Sequence, residues 1–367
     1  MIDMNAGIVL SFHGSIQGII GKAGGNAAQV SELLLIRKYA GRFDKVLVFS
    51  HDSKSFEHQM PSNCSHIKMR NRFLYIAFGW IVLLYFAWRQ KLGVIRLVGA
   101  ASLPVLFITG WVTRARIILK YYYLWYNTAG NFLKRWLIKR AERILIRPLD
   151  YVIAANSDVM RFVGNPDKTM GVNEGIITEA FNPENIAVDD LMSRIGGVKL
   201  IFVGRLVDIK DPVTLLEAYA LAKEDIRHLR LVICGDGPLR PALEKMADKD
   251  VHFLGFVGNI PSMLKGADIF VITSLYDASP RSLMEAMCMG LPTVATKVGG
   301  VPEYLTHDAG FLVPPRDAEV LAEKIVKLAK DVDLRQRMGR KARQRVLERY
   351  DLAKNLDKEL DIILGGA

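Results

Sequence analysis

Two carboxylates, Asp277 and Glu285, mark the stretch of this 367-residue chain with the strongest chemical pattern. The apolar run Ile269–Ile272 before them has the length and β-branched content of a strand buried on both faces. Pro280 then precedes a predicted helix, Arg281–Met289, because proline fits the first turn of a helix. The seven residues between the acids therefore place Asp277 in a loop and Glu285 on the helix behind it. Such loops lie at the carboxyl edge of a parallel sheet, where ligands bind.

Two cations follow another predicted strand, Lys199–Val203. Arg205 comes directly after Gly204, and Lys210 precedes the predicted helix Pro212–Lys223. Cations at a strand end that faces a helix N-terminus suit an anionic ligand on which negative charge develops. Simpler alternatives exist for both motifs. The acids could simply be carboxylates near a helix N-terminus, which the helix dipole stabilises. The cations could be solvated loop residues.

The order of these motifs resembles that of retaining glycosyltransferases of family 4, the glycosyl transferases group 1. This family has an α/β fold with two Rossmann-like domains facing across a cleft (GT-B). The acids are similar to its E-x7-E signature, although Asp277 stands where the family usually has Glu. Arg205 and Lys210 match its G-R-L…K motif, and GGVPE after the next strand is close to another family pattern. The resemblance covers 199–364 in several motifs and 1–180 only in outline.

The resemblance implies a role for each matched residue. Arg205 and Lys210 would hold the donor diphosphate, the leaving group, and Asp277 would face the hydroxyls of the donor sugar. Glu285 would accept hydrogen bonds from the ribose. The other donor-site residues implied are Gly24 and Gly25 near the diphosphate, backbone groups of Phe256 and Val257 at the base, and Ser279, Pro280 and Arg281 around the phosphate. Neither a metal nor another cofactor is expected.

One departure from the family concerns the acceptor side. Many members have a histidine just after the strand that corresponds to Arg116–Tyr123, and this chain has none there. Lys120, Tyr121 and Tyr122 occupy the region instead. A tyrosine could supply a hydrogen bond to the acceptor, or the cluster could serve packing or an aromatic interface belt.

The length of the chain suits two domains rather than one core. A stretch rich in Gly, Asn, Pro and acids, 164–197, indicates a domain change near residue 182. We therefore predict an acceptor-binding and membrane-facing domain over 1–181 and a nucleotide-sugar-binding domain over 182–350. The resemblance makes 351–367 a helix that crosses back to the first domain.

Positive charge is concentrated in the first half, where residues 1–180 contain 23 Lys and Arg against 11 Asp and Glu. The predicted helix Asn131–Arg147 combines cations with apolar side chains, a pattern typical of helices on anionic membranes. An alternative is a solvated charged face above a core face. No nucleic-acid-binding motif accompanies the charge. The residues predicted to form this membrane or acceptor face are Lys134, Arg135, Trp136, Lys139, Arg140 and Arg143.

Three further features bear on location. The uncharged run Phe73–Trp88 is shorter than the roughly 20 residues of a membrane span, so we expect an interfacial or buried helix, with insertion of 73–112 into the membrane as the alternative. The start MIDMNAGIVLSF has no secretory-signal pattern. Three separated cysteines indicate a reducing compartment and no zinc site. We therefore expect a cytoplasmic protein, peripheral on the inner face of the cell membrane.

Together these features predict a metal-independent, retaining glycosyltransferase of the hexosyltransferase type, acting in polysaccharide or glycolipid biosynthesis. It would move a sugar from a nucleotide-diphosphate sugar to a lipid-linked or glycan acceptor. Two alternatives remain open. A nucleotide-sugar epimerase can share the fold, and a non-catalytic nucleotide-sugar-binding protein could have lost its acceptor site.

Overall fold

The computed structural model describes residues 7–11, 27–50, 60–68, 81, 85, 89, 93–98, 115–121 and 131–365. They form two compact units. The first unit combines the described residues up to Glu174 with those from Ala353 onward, and the second unit is Gly175–Leu352. The chain therefore enters the second unit at Gly175, whereas the composition of the sequence had indicated a change near residue 182.

The first unit contains a parallel sheet of seven strands. The strands are β1 (Ile8–Ser11), β2 (Val46–Ser50), β3 (Cys64–Lys68), β4 (Val94–Val98), β5 (Arg116–Tyr121), β6 (Tyr151–Ala154) and β7 (Thr169–Gly171). They lie in the order β3-β2-β1-β4-β5-β6-β7. The helices described before Gly175 are α1 (Ala27–Ala40), α2 (Phe132–Ile146) and α3 (Ser157–Val163).

The second unit contains a parallel sheet of six strands. The strands are β8 (Val198–Val203), β9 (Leu229–Cys234), β10 (Val251–Gly255), β11 (Ile269–Ile272), β12 (Thr293–Thr296) and β13 (Gly310–Val313). They lie in the order β10-β9-β8-β11-β12-β13. The helices are α4 (Asp190–Arg194), α5 (Pro212–Asp225), α6 (Arg240–Met246), α7 (Ile260–Lys265), α8 (Arg281–Cys288), α9 (Val301–Tyr304), α10 (Ala318–Lys330) and α11 (Val332–Arg349).

The central strand β11 explains why its sequence is continuously apolar. Phe270 and Ile272 belong to the apolar cluster on one face of the sheet, while Ile269 and Val271 belong to the cluster on the other face. All four side chains are buried. A polar side chain is unfavourable in a strand covered on both faces, and the first polar residues follow the end of β11. The predicted buried strand is therefore confirmed.

The final helix, α12 (Leu352–Leu364), carries the chain from the second unit into the first. Leu360 and Ile363 are fully buried in the same apolar cluster as Ile8 and Val46 of the first sheet. This burial makes the end of the chain part of the first unit's core.

A buried ionic cluster also joins α12 to the first sheet. The Glu359 carboxylate lies 2.5 Å from Arg96 Nε and 2.9 Å from Lys120 Nζ, and Tyr39 donates a hydrogen bond to it (2.9 Å). Burial alone would raise the pKa of Glu359, but the charges of Arg96 and Lys120 lower it to about 2. The Glu359 carboxylate is therefore ionised in the folded protein at neutral pH.

This cluster gives Lys120 a structural role in place of one beside the acceptor. Its ammonium also donates to the carbonyl oxygen of Val172 (3.1 Å), and the residue is buried. Tyr121 is fully buried in an apolar cluster with Leu119 and Ala154, which favours the packing interpretation of this tyrosine. Tyr122 lies outside the described residues.

Two predicted features lie wholly or mainly outside the described residues. The loop with Gly24 and Gly25 is one of them, and the apolar run 73–88 is the other, apart from Ile81 and Tyr85, which are helical and partly exposed. In the part of the chain that the structure describes, no helix combines the length and the apolar content needed to cross a bilayer.

Replacing Glu359 by Gln should destabilise the protein by about 3–5 kcal/mol, because the substitution leaves two buried cations without a counter-charge. Urea unfolding at pH 7 measures the loss. The contribution of Glu359 should be complete above the ordinary carboxyl pKa of 4.5 and should disappear as the pH falls towards about 2. A Glu359→Gln protein as stable as wild type would contradict the assigned role.

The matched control is Asp357→Asn on the same helix. Asp357 pairs with Lys38 (2.6 Å), but its side chain is 47% exposed. An exposed pair contributes at most about 1 kcal/mol, so this control should change stability little.

Candidate functional site

The carboxyl edge of the second sheet brings the two chemical motifs together. Strand β8 has β9 on one side and β11 on the other, so the strand order reverses between β8 and β11. The loop after β8 carries Arg205 and Lys210, and the loop after β11 carries Asp277. A reversal of this kind leaves a crevice at the carboxyl ends of the two strands, where α/β sheets bind ligands.

Hydrogen bonds to the main chain tie these two loops to each other. The hydroxyl of Thr273 donates to the carbonyl oxygen of Lys210 (2.8 Å), and the amide of Leu275 donates to the carbonyl oxygen of Ile209 (2.9 Å). Lys210 ends a single 3₁₀ turn, after which Asp211 adopts a left-handed conformation and caps α5. The backbone on both sides of Lys210 is therefore fixed before any ligand binds.

The side chains of Lys210 and Asp277 form an ion pair across the two loops. Their Nζ and Oδ2 atoms are 2.5 Å apart, and the side chains are 23% and 13% exposed. Arg205, five residues before Lys210, is exposed. The crevice therefore presents the exposed guanidinium of Arg205 and the ammonium of Lys210, which is already paired with the Asp277 carboxylate.

The helix α8 starts at Arg281. Pro280 stands at its N-cap position, and no side chain caps the helix with a hydrogen bond. Arg281 Nε lies 3.3 Å from a carboxylate oxygen of Glu285, one turn further along. The Glu285 side chain is only 13% exposed. Burial raises the pKa of Glu285 to about 7, against the opposing effect of the Arg281 guanidinium. Glu285 can therefore exist in either protonation state near neutral pH.

A third loop, after β12, is hydrogen-bonded to the loop that carries Asp277. The amide of Gly300 donates to the carbonyl oxygen of Asp277 (2.9 Å), and the Thr296 hydroxyl donates to the carbonyl oxygen of Ser274 (2.6 Å). A Cβ atom at Gly300 would overlap the carbonyl oxygen of Ala278. Glycine is required at this position because two stretches of backbone approach each other closely.

The structure brings some of the predicted site residues together and separates others. Residues of the loops after the neighbouring strands β8 and β11, with the start of α8, are gathered at one end of the sheet. Phe256 and Val257 follow β10, two strands away from β8 on the same edge, and the Phe256 side chain is 53% exposed. The residues gathered next to the switch point are Arg205, Lys210, Asp277, Ser279, Pro280, Arg281 and Glu285.

Several hydroxyls that hold the site together were not predicted. Thr273 and Thr296 stand at the ends of β11 and β12, so a polar residue at the end of a buried strand was an available signal. Tyr304, whose hydroxyl lies 2.9 Å from Ser279 Oγ, gave no signal because it reaches the site from a different helix. Among the described residues, no group of three or more His, Cys, Asp or Glu side chains could hold a metal ion.

A second candidate surface lies on α2 in the first unit. Asn131 caps this helix by accepting a hydrogen bond from the Lys134 amide (2.8 Å). The helix buries Glu142 and Ile146, which both lie towards its C-terminal end. Its large apolar side chains near the N-terminus remain exposed, namely Phe132 (85%), Leu133 (64%), Trp136 (47%) and Leu137 (52%). Exposed apolar side chains among cations are typical of a surface that has a partner.

Comparison with known proteins identifies the second unit. Residues 193–345 match the family model described as Glycosyl transferases group 1. This segment contains the loops of Arg205, Lys210, Asp277 and Glu285. Over this segment, the chain is similar to the group 1 glycosyl transferases. The resemblance inferred from the motifs of this segment is therefore confirmed.

Two relatives show how far this similarity extends along the sequence. UDP-Gal:alpha-D-GlcNAc-diphosphoundecaprenol alpha-1,3-galactosyltransferase of Escherichia coli is 28% identical over 214 residues, 54% of this chain and 55% of that protein. D-inositol 3-phosphate glycosyltransferase of Corynebacterium efficiens is 31% identical over 204 residues, 50% of this chain and 48% of that protein. The chain thus spans about half the length of the curated relatives it matches.

Solved structures resemble this chain over almost its whole length. Anabaena HepE, in complex with UDP and glucose, has a TM-score of 0.75 with 18% identity, covering 98% of this chain and 99% of that one. Sucrose-phosphate synthase of Thermosynechococcus elongatus has a TM-score of 0.78 with 18% identity, covering 98% and 100%. This likeness confirms the predicted GT-B type of fold, with its two Rossmann-like domains.

Replacing Gly300 by Ala should destabilise the protein by about 1–3 kcal/mol, because the added methyl group forces apart the backbones of the loops after β11 and β12. Urea unfolding measures the change. Gly196→Ala is the control, since a Cβ atom there would meet no heavy atom within 4 Å. Equal stability of the two variants would contradict the close packing described for the site.

Proposed function

We propose that this protein is a metal-independent, retaining glycosyltransferase that uses a nucleotide-diphosphate sugar as its donor. The observation that carries the proposal is the juxtaposition of Arg205 and Lys210 with the loop of Asp277 at the switch point of the second sheet. The two cations would bind the diphosphate and stabilise the negative charge that it gains on leaving. Fixed cations could supply this stabilisation without a bound metal.

The proposed reaction proceeds on one face of the sugar. The acceptor hydroxyl attacks the anomeric carbon from the side on which the diphosphate departs, and the departing phosphate takes the hydroxyl proton. The new glycosidic bond then has the configuration of the broken one. This route requires no strong side-chain base, so the absence of a histidine after β5 is compatible with turnover.

The nucleotide would be held by groups on the same edge of the sheet. In the proposal, Glu285 accepts hydrogen bonds from the ribose hydroxyls, and backbone groups of Phe256 and Val257 pair with the base. The resemblance also implies Gly24 and Gly25, which lie outside the described residues, as contacts of the diphosphate. The UDP bound to Anabaena HepE makes uridine diphosphate sugars the first donors to test.

The acceptor in this proposal is a lipid-linked or glycan molecule, reached at the cytoplasmic face of the membrane. The printed name of the Escherichia coli relative describes a lipid-linked acceptor, a diphosphoundecaprenol. On this chain, α2 presents exposed apolar side chains together with five cations, which supports an anionic membrane as its partner. The proposal is therefore a peripheral enzyme whose first unit faces the lipid.

Nucleotide release from a panel of UDP- and GDP-sugars, with and without a membrane lipid extract, tests the proposed function. Release that requires the extract is expected and would identify the donor. Isomerisation of the sugar without acceptor would indicate an epimerase instead. Absence of release from every donor, with the protein folded, would favour a binding protein.

Replacing Lys210 by Ala should lower nucleotide release by roughly 10²–10³-fold, because it removes a cation that stabilises the leaving diphosphate. Lys223→Ala is the matched control. Lys223 also forms short ion pairs, to Asp248 (2.5 Å) and Asp250 (2.6 Å), but these acids precede β10 at the opposite edge of the sheet. Full activity of the Lys210→Ala protein would overturn the diphosphate assignment.

Removing four cations of α2 should weaken binding to anionic vesicles by up to roughly 10³-fold at low salt, since each cation near such a surface contributes about 1 kcal/mol. Cosedimentation with phosphatidylglycerol vesicles measures the effect. The residues replaced by Gln are Lys134, Arg135, Lys139 and Arg140.

The control for this experiment removes the same charge from the second unit. The residues replaced there by Gln are Lys330, Arg337, Arg340 and Lys341, all of which are exposed. This control should cosediment like wild type. Equal cosedimentation of both quadruple variants would exclude α2 as the membrane-binding surface.

A further inference from the structure

The hydroxyl groups of Tyr304 and Ser279 are in hydrogen-bond contact within the second unit. The two oxygens are 2.9 Å apart, although the residues are 25 positions apart in the sequence. Ser279 belongs to the loop after β11 and is partly exposed, whereas Tyr304 ends α9 and is fully buried. A serine hydroxyl can rotate freely, so its direction is set by the partner that holds it.

Tyr304 is itself held firmly from several directions. Its ring packs against the ring of Tyr350, with centroids 4.6 Å apart. Arg345 donates hydrogen bonds to the carbonyl oxygens of Tyr304 and Glu303 (both 2.7 Å), and the Tyr350 hydroxyl donates to that of Glu303 (2.7 Å). The Tyr304 hydroxyl is therefore a fixed point beneath the loop.

Ser279 occupies a position suited to contact the donor diphosphate. Ser279 lies two residues after Asp277, the ion-pair partner of Lys210. It directly precedes Pro280 at the start of α8. In the sequence, Ser279 thus lies between Asp277, the partner of the cation assigned to the diphosphate, and the first turn of a helix that has no side-chain cap. The cation and the helix N-terminus both favour a negatively charged ligand.

We propose that Tyr304 is a positioning residue for the donor, acting through Ser279. Phosphate oxygens only accept hydrogen bonds, so Ser279 must donate its single proton to the diphosphate. Its oxygen then accepts the proton of Tyr304, and each hydrogen bond polarises the other. This assignment rests on the proposed function, since it requires a nucleotide diphosphate in the site.

The test compares Tyr304→Phe with wild type by isothermal titration with UDP. The substitution removes one oxygen and keeps the buried ring. The Kd for UDP should rise about 3- to 10-fold, the range for one hydrogen bond. The affinity for uridine, which lacks phosphate, should stay unchanged, whereas a general loosening of the unit would weaken both. In turnover, the donor KM should rise while kcat stays at the wild-type value.

Two further variants make the test specific. Tyr219→Phe is the control, because it removes a buried hydroxyl of the same unit that donates to the carbonyl oxygen of Leu229 (3.4 Å) at the start of β9, the opposite edge of the sheet, so it should bind UDP like wild type. Ser279→Ala, which removes the hydroxyl that donates to the diphosphate, should lose at least as much UDP affinity as Tyr304→Phe, and the double variant should lose no more than Ser279→Ala alone, because Tyr304 acts only through Ser279. Additive losses, or unchanged UDP affinity of Tyr304→Phe, would overturn the assignment.

The wild-type protein separates this assignment from the proposed function. If the wild-type protein binds UDP and the Tyr304→Phe protein binds it equally well, only the role assigned to Tyr304 is overturned. Wild type that binds neither UDP nor GDP would overturn the proposed function, and the assignment would fall with it.

Discussion

The loops after β8 and β11 are joined by hydrogen bonds to the main chain. The position of Lys210 relative to Asp277 depends on these bonds. The carbonyl oxygens of Ile209 and Lys210 both accept bonds from the second loop, so the cation at position 210 cannot move independently of Asp277. The Lys210–Asp277 ion pair then adds a side-chain link to the backbone links. A rigid pair of loops suits a site that must stabilise developing charge without reorganising first.

Features governed by neighbouring residues could be predicted from the sequence. The buried strand Ile269–Ile272 and the helix from Arg281 are found where the apolar run and Pro280 indicated them. The polar residues that follow Ile272 then lie at the carboxyl edge of the sheet, because this parallel strand is apolar over its whole length.

Features that depend on distant partners could not be predicted. Lys120 was placed in the acceptor region because its strand ends there, but its position is decided by Glu359 on the last helix. The role of Tyr304 depends on a contact with Ser279 that no local pattern encodes. The helix α2 shows a different limit, since an amphipathic pattern cannot distinguish a face that packs on a core from one that meets lipid. Only the exposure of residues such as Phe132 separates these cases.

The ionic cluster of the first unit has a consequence for synthesis of the chain. Arg96 and Lys120 leave the ribosome long before Glu359, and 239 residues separate Lys120 from its carboxylate partner. At about 5–20 residues per second, the two cations wait for roughly 10 to 50 seconds, while the whole second unit is made. During this interval the first unit cannot bury them at low cost. The nascent first half should therefore remain open, accessible to chaperones and proteases, until the last helix arrives.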